Sequence, residues 1–178
     1  MVDGELYDMS RRIKRGLSGY VSYLAACEMN EAFSEYVLYE PILRILLARG
    51  FRAESEVECP NIEQPSTGDK KRLDFVVSSE KDLHFAIEVK WALTDEGNDE
   101  LTKKPVDVSS DLPKMIAFAT ANVGNRSFLC VFGRASAVEG QVNFKGDSNL
   151  LSRLKDFGDL VIADMAQTRF GCRFFELV

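Results

Sequence analysis

The stretch HFAIEVKW, residues 84–91, restricts the fold more than any other in the chain. Its apolar residues mark a strand bound for a sheet core, yet it carries a glutamate and a lysine two positions apart. Side chains alternate faces along a strand, so Phe85, Ile87 and Val89 share one face while Glu88 and Lys90 share the other, roughly 7 Å apart. Just upstream, RLDFVV (72–77) repeats the arrangement, with Leu73, Phe75 and Val77 on the apolar face and Asp74 opposite. The intervening SSEKD is turn-forming sequence. A hairpin centred on Lys81 sets Asp74 directly across from Glu88.

Facing carboxylates on paired strands have Cβ atoms about 5 Å apart, and their charges repel. Partly buried, they need a shared proton or a cation. Lys90 is one such cation, with Arg72 as a second source of charge, and the result would be an ion network in a half-exposed sheet. A divalent metal is the other, because hard oxygen ligands suit magnesium or manganese. The residues alone leave both open.

The elements around this hairpin follow from periodicity. Ile13, Leu17, Tyr20, Val21 and Leu24 give helical spacing over 5–28. The basic run RRIKR (Arg11, Arg12, Lys14, Arg15) reads as a solvated helix face, with a phosphate grip as the functional alternative. Residues 31–49 predict a second helix, with Asn30 as N-cap, Gly50 at C′ and Pro41 kinking or restarting it. Phe33, Val37, Glu40, Arg44 and Leu47 form one stripe of that helix, while Tyr39, Ile42 and Leu46 lie on the other side. FRAESEVEC reads as a strand, residues 94–105 as an exposed loop, and residues 107–121 as a helix starting near Pro113. SFLCVFGRA (127–135) is a buried strand and NLLSRLKDF (149–157) a short helix. DLVIADM and CRFFELV close the chain as strands. This order predicts an α/β fold, a mixed sheet flanked by helices. No repeat or low-complexity linker divides it, so residues 1–178 read as a single domain.

Composition narrows the function. A net charge of −6 disfavours a protein that simply coats nucleic acid, though not an enzyme with a local basic patch. Four scattered cysteines and a single histidine, His84, leave neither a zinc site nor a disulfide framework, nor a hydrolase needing a histidine partner. His84 shares the Glu88 face but lies roughly 13 Å along the strand, too far to join it at a metal. Trp91 reads as core. With no apolar signal at the start and no run long enough to span a bilayer, the expected location is the cytoplasm.

RLD followed by EVK, with Asp74 and Glu88 fourteen residues apart, resembles the PD-(D/E)xK nuclease superfamily, the restriction-endonuclease-like fold. Leu73 stands where the motif's name has proline. The resemblance covers about residues 30–134 as the core, leaving a helical extension over 1–29, an extra N-terminal helix, and a mixed extension over 135–178. It implies metal-dependent phosphodiester hydrolysis by a DNA endonuclease or exonuclease acting in restriction, repair or mobile-element defence. Asp74 and Glu88 would hold one or two magnesium or manganese ions, with the Val89 carbonyl as third ligand. Lys90 would orient water or stabilise developing charge, and Glu40 would be the acid contributed by the first helix, with Glu35 as its substitute. In DLPK, Asp111 and Lys114 read as a solvated helix end, with extension of the site as the alternative. Lys70, Lys71 and Arg72 either meet phosphates or merely flank the hairpin. The partner implied is nucleic acid, above all DNA, and cutting both strands would suit a homodimer. The competing function is a catalytically silent module on the same fold that mediates protein or nucleic-acid interaction.

Overall fold

The computed structural model describes residues 2–29, 34–80, 82–92, 94–95, 102–165 and 168–178. The chain opens with α1 (Val2–Ala26), then a 3₁₀ turn (Glu35–Leu38) and α2 (Tyr39–Leu47). Strands β1 (Arg52–Glu58), β2 (Arg72–Ser78) and β3 (His84–Ala92) follow, then short β4 (Thr94–Asp95), β5 (Thr102–Lys103) and β6 (Val106–Asp107). Next come α3 (Asp111–Ala121), β7 (Arg126–Arg134), α4 (Ala135–Val138), β8 (Phe144–Lys145) and α5 (Ser148–Leu151). The chain ends with β9 (Leu154–Asp156), β10 (Val161–Met165) and β11 (Thr168–Leu177).

The main sheet runs β1-β2-β3-β7-β11-β10, with β9 paired to the end of β11. β3 and β7 are parallel and the other pairs are antiparallel, so the sheet is mixed. β7 sits centrally and is buried from Ser127 to Gly133, which explains its unbroken apolar run. Alternation divides its side chains between two cores. Phe128, Cys130 and Phe132 join Phe85, Ile87 and Val89 of β3 beneath α1 and α2. Leu129 and Val131 face the other way, with Leu112 and Met115 of α3 and Val138 of α4. Helices thus flank a mixed sheet on both faces, as the element order predicts.

Three expectations need correction. The 1–29 segment is not an appendage: Leu6, Met9, Ile13, Leu17 and Val21 of α1 are buried in the same core as β3 and β7. The second helix is restarted around Pro41, as expected, which sits in the first turn of α2 after the 3₁₀ turn. Its buried stripe is Leu38, Ile42 and Leu46, while Leu47 is exposed. Asn30 and Phe33 lie outside the described residues, as do residues 96–101 of the expected 94–105 loop, whose described ends pair as β4 and β5. Gly50 does take the positive φ of a helix C′ residue. Among the described residues no helix is long and apolar enough to cross a membrane.

Candidate active site

The β2–β3 ladder pairs Phe75 with Ile87, Val76 with Ala86, Val77 with Phe85 and Ser78 with His84, in the expected register, while Lys81 itself lies outside the described residues. The ladder stops at Phe75. Beyond that point the β3 edge still carries the N–H groups of Val89 and Trp91, and carboxylates take them. Val89 N–H donates to Asp74 Oδ2 at 2.7 Å, and Trp91 N–H donates to Glu35 Oε1 at 3.2 Å. In a strand, the N–H and C=O of one residue leave by the same edge, so the Val89 carbonyl opens toward Asp74 as well.

On the neighbouring face of β3, Glu88 is 0% exposed and Asp111, from the first turn of α3, is 2% exposed. Lys114 lies one turn after Asp111, so both face the sheet while Pro113 between them is exposed. Lys114 Nζ donates to Glu88 Oε2 at 2.7 Å and to the Arg72 carbonyl at 2.9 Å, and lies 3.0 Å from Asp111 Oδ1. Lys90 Nζ lies 3.2 Å from Asp111 Oδ2 and 4.0 Å from Glu35 Oε2. Asp111 Oδ2 has only this ion pair with Lys90, and Glu88 Oε1 is buried with no hydrogen-bond partner.

Two expectations change here. Asp111 and Lys114 are not a solvated helix end but the buried partners of β3. Lys114, not Lys90, is the cation bound to Glu88. Of the two helix acids, Glu35 faces the cleft, whereas Glu40 is exposed and bound to Arg44 at 2.7 Å. Arg72 and Lys71 line the cleft rim, with Lys70 paired to Glu58 beside them. Arg11 and Arg12 lie elsewhere, on α1 against Asp8. His84 holds Asn125 at 2.9 Å and packs on Phe118, away from the cleft. Trp91 packs edge-on against Phe132 in the core.

A residue the sequence did not single out completes the site. Tyr39 O–H donates to Asp74 Oδ1 at 2.7 Å from the first residue of α2. Burial and the Asp74 charge push its pKa far up, so it stays a donor. Tyr39→Phe is expected to cost about 1–3 kcal/mol, the penalty of a buried acceptor left unpaired. Urea denaturation without added metal measures this, and an unchanged midpoint would mean that water serves Asp74 instead.

The cleft encloses about 940 Å³ between the 3₁₀ turn, the β1–β2 connection and α3. Glu35, Asp74, Glu88 and Asp111 bring four carboxyl groups to the cleft, and Lys90 and Lys114 two ammoniums between them. Burial, reinforced by Asp74, drives the Glu88 pKa well up against the pull of Lys114. Burial likewise raises Asp74, opposed by Tyr39 and the Val89 N–H, and it raises Glu35. Burial alone would lower both lysines. For Lys90 the Asp111 and Glu35 charges outweigh it, for Lys114 the Glu88 and Asp111 charges do, and both stay protonated. Among the described residues no three His, Cys, Asp or Glu side chains gather closely enough to hold a metal ion, and Lys114 bridges Glu88 and Asp111. The donor chemistry nonetheless suits a hard dication, since the carboxylates supply oxygen ligands and Glu88 Oε1 is buried without a hydrogen-bond partner.

Compared with family models, curated proteins and solved structures, the chain matches none.

Proposed function

We propose that the chain is a magnesium- or manganese-dependent nuclease acting on DNA, of the PD-(D/E)xK type. The observation that carries this reading is the gathering of Asp74, Glu88 and Asp111 around one cleft, with Glu88 Oε1 buried and without a hydrogen-bond partner. Asp74 and Glu88, with the Val89 carbonyl, would hold the ion. When bound, it supplies Lewis acidity and neutralises charge on a phosphodiester.

The chain's own groups do the rest. Tyr39 and the Val89 N–H fix Asp74 from both oxygens. Lys114 anchors Glu88. Lys90, steered by Asp111 and Glu35, presents a protonated amine to the cleft, suited to charge that develops on a phosphate. Lys71 and Arg72 on the rim add positive charge where a backbone would enter.

The second reading, a catalytically silent binding module, draws on one feature: Lys114 already bridges Glu88 and Asp111, which is how a protein neutralises carboxylates without metal. Cleavage of supercoiled plasmid, linear duplex, single-stranded DNA and RNA, with magnesium and then manganese, separates the two. Wild type should cut at least one substrate, and Glu88→Gln should lose at least about 100-fold, since it removes a carboxylate that would hold the ion. Metal binding by calorimetry without cleavage of any substrate would favour the silent module.

A further inference from the structure

A second concentration of charge lies away from the cleft. Arg11, Arg12 and Arg15 of α1 and Arg49, just past α2, line a groove of about 420 Å³ floored by Ile45 and Ala48. The two helices meet closely at Gly16, where a Cβ would come within 2.6 Å of Ile45 Cδ1. That contact fixes the groove's width.

Three guanidiniums share one carboxylate. Asp8 Oδ2 lies 2.8 Å from Arg12 and 3.3 Å from Arg49, and Asp8 Oδ1 lies 3.5 Å from Arg11. Arg15 has no acidic partner among the described residues. Four guanidiniums against one carboxylate leave three positive charges in one groove, on a chain whose net charge is −6. Like charges held together in this way repel unless an anion joins them. The one lysine of this run, Lys14, turns inward to the carbonyls of Phe157 and Asp159. Every cation left on the surface is therefore an arginine, whose planar fork matches phosphate.

Distance relates the groove to the cleft. Arg49 lies just past the opposite end of α2 from Tyr39, the partner of Asp74, and the nine residues of that helix rise roughly 13 Å. We propose that the groove formed by Arg11, Arg12, Arg15 and Arg49 grips the phosphodiester backbone of a nucleic acid that also enters the Asp74–Glu88 cleft. The inference rests on the nuclease reading for the second half of that statement. The grip itself needs only phosphates.

The test is binding of a labelled duplex of roughly 20 base pairs, without divalent metal, between about 50 and 200 mM salt, where each phosphate contact contributes about 0.9 to the salt slope. The Arg11→Gln/Arg15→Gln/Arg49→Gln variant should bind at least about tenfold more weakly at low salt, with a slope smaller by about 2 to 3. Arg15→Gln alone, which breaks no ion pair, should lower the slope by about 0.9 and so guards against misfolding of the triple variant. An unchanged affinity and slope in both variants would overturn the grip. Arginine-dependent binding by a wild type that cuts nothing would sink the nuclease reading and leave the grip standing. Cleavage by wild type with slopes unmoved by the variants would do the reverse.

Discussion

Lys114→Met is expected to cost the metal-free protein about 3–5 kcal/mol of folding stability, because removing one member of a buried pair leaves the other desolvated and alone. An ammonium has three protons, and Lys114 places its Nζ against three acceptors: Glu88 Oε2, Asp111 Oδ1 and the Arg72 carbonyl. Glu88 Oε1 already lacks a donor, so without Lys114 neither oxygen of a fully buried carboxylate would have one. Urea denaturation without metal reads the loss directly. Combining Glu88→Met with Lys114→Met should recover much of it, since apolar replacement of a whole buried pair is often neutral. Asp111 would then keep Lys90 as its cation. A single Lys114→Met variant within about 1 kcal/mol of wild type would show the pair to be no more than a solvated surface contact.

The hairpin was legible because strand alternation is rigid. Once Phe85, Ile87 and Val89 must face a core, Glu88 and Lys90 have one place to go, and the pairing of Phe75 with Ile87 brings Asp74 beside Val89. β7 was legible for the same reason, as a continuous apolar run that suits a strand buried on both faces. The α1 helix was legible as a helix but not as a core layer. Its apolar spacing fits any amphipathic helix, and nothing local says that its partners are β10 and β11, far along the chain.

The site was legible only where side chains sit on the hairpin. Asp111 and Lys114 look like any solvated first turn, and their burial depends on α3 packing its polar side onto β3. Choosing Glu40 over Glu35 followed helical geometry across Pro41, but the chain forms a 3₁₀ turn before that proline, which turns Glu35 toward Trp91 and leaves Glu40 with Arg44. The signal that was present is Pro41 itself, which restricts the residue before it and favours a new helix start. Tyr39 gave no signal. A tyrosine beside a glutamate is common, and only tertiary placement puts its hydroxyl on Asp74.

Lys90→Ala is expected to lower the turnover of cleavage by about 100- to 1,000-fold, the usual loss when a preorganised charge-stabilising group is removed. Lys90 is no metal ligand, so calorimetry should show magnesium binding close to wild type, whereas Asp74→Asn and Glu88→Gln should weaken it sharply. That contrast separates a group acting on the phosphate from groups acting on the ion. Glu40→Ala supplies the control: its carboxylate is exposed and bound to Arg44, so cleavage should be untouched. The amine's position also bears on mechanism. Between Asp111 and Glu35 it stays protonated, so it is built to face negative charge and not to take a proton from water. A Lys90→Arg variant that retains part of the turnover would agree with that role, because charge is kept while shape changes. If Lys90→Ala cut as fast as wild type, Lys90 would be reduced to a counter-ion for Asp111, and the charge opposite the phosphate would have to come from Lys71 or Arg72 on the rim.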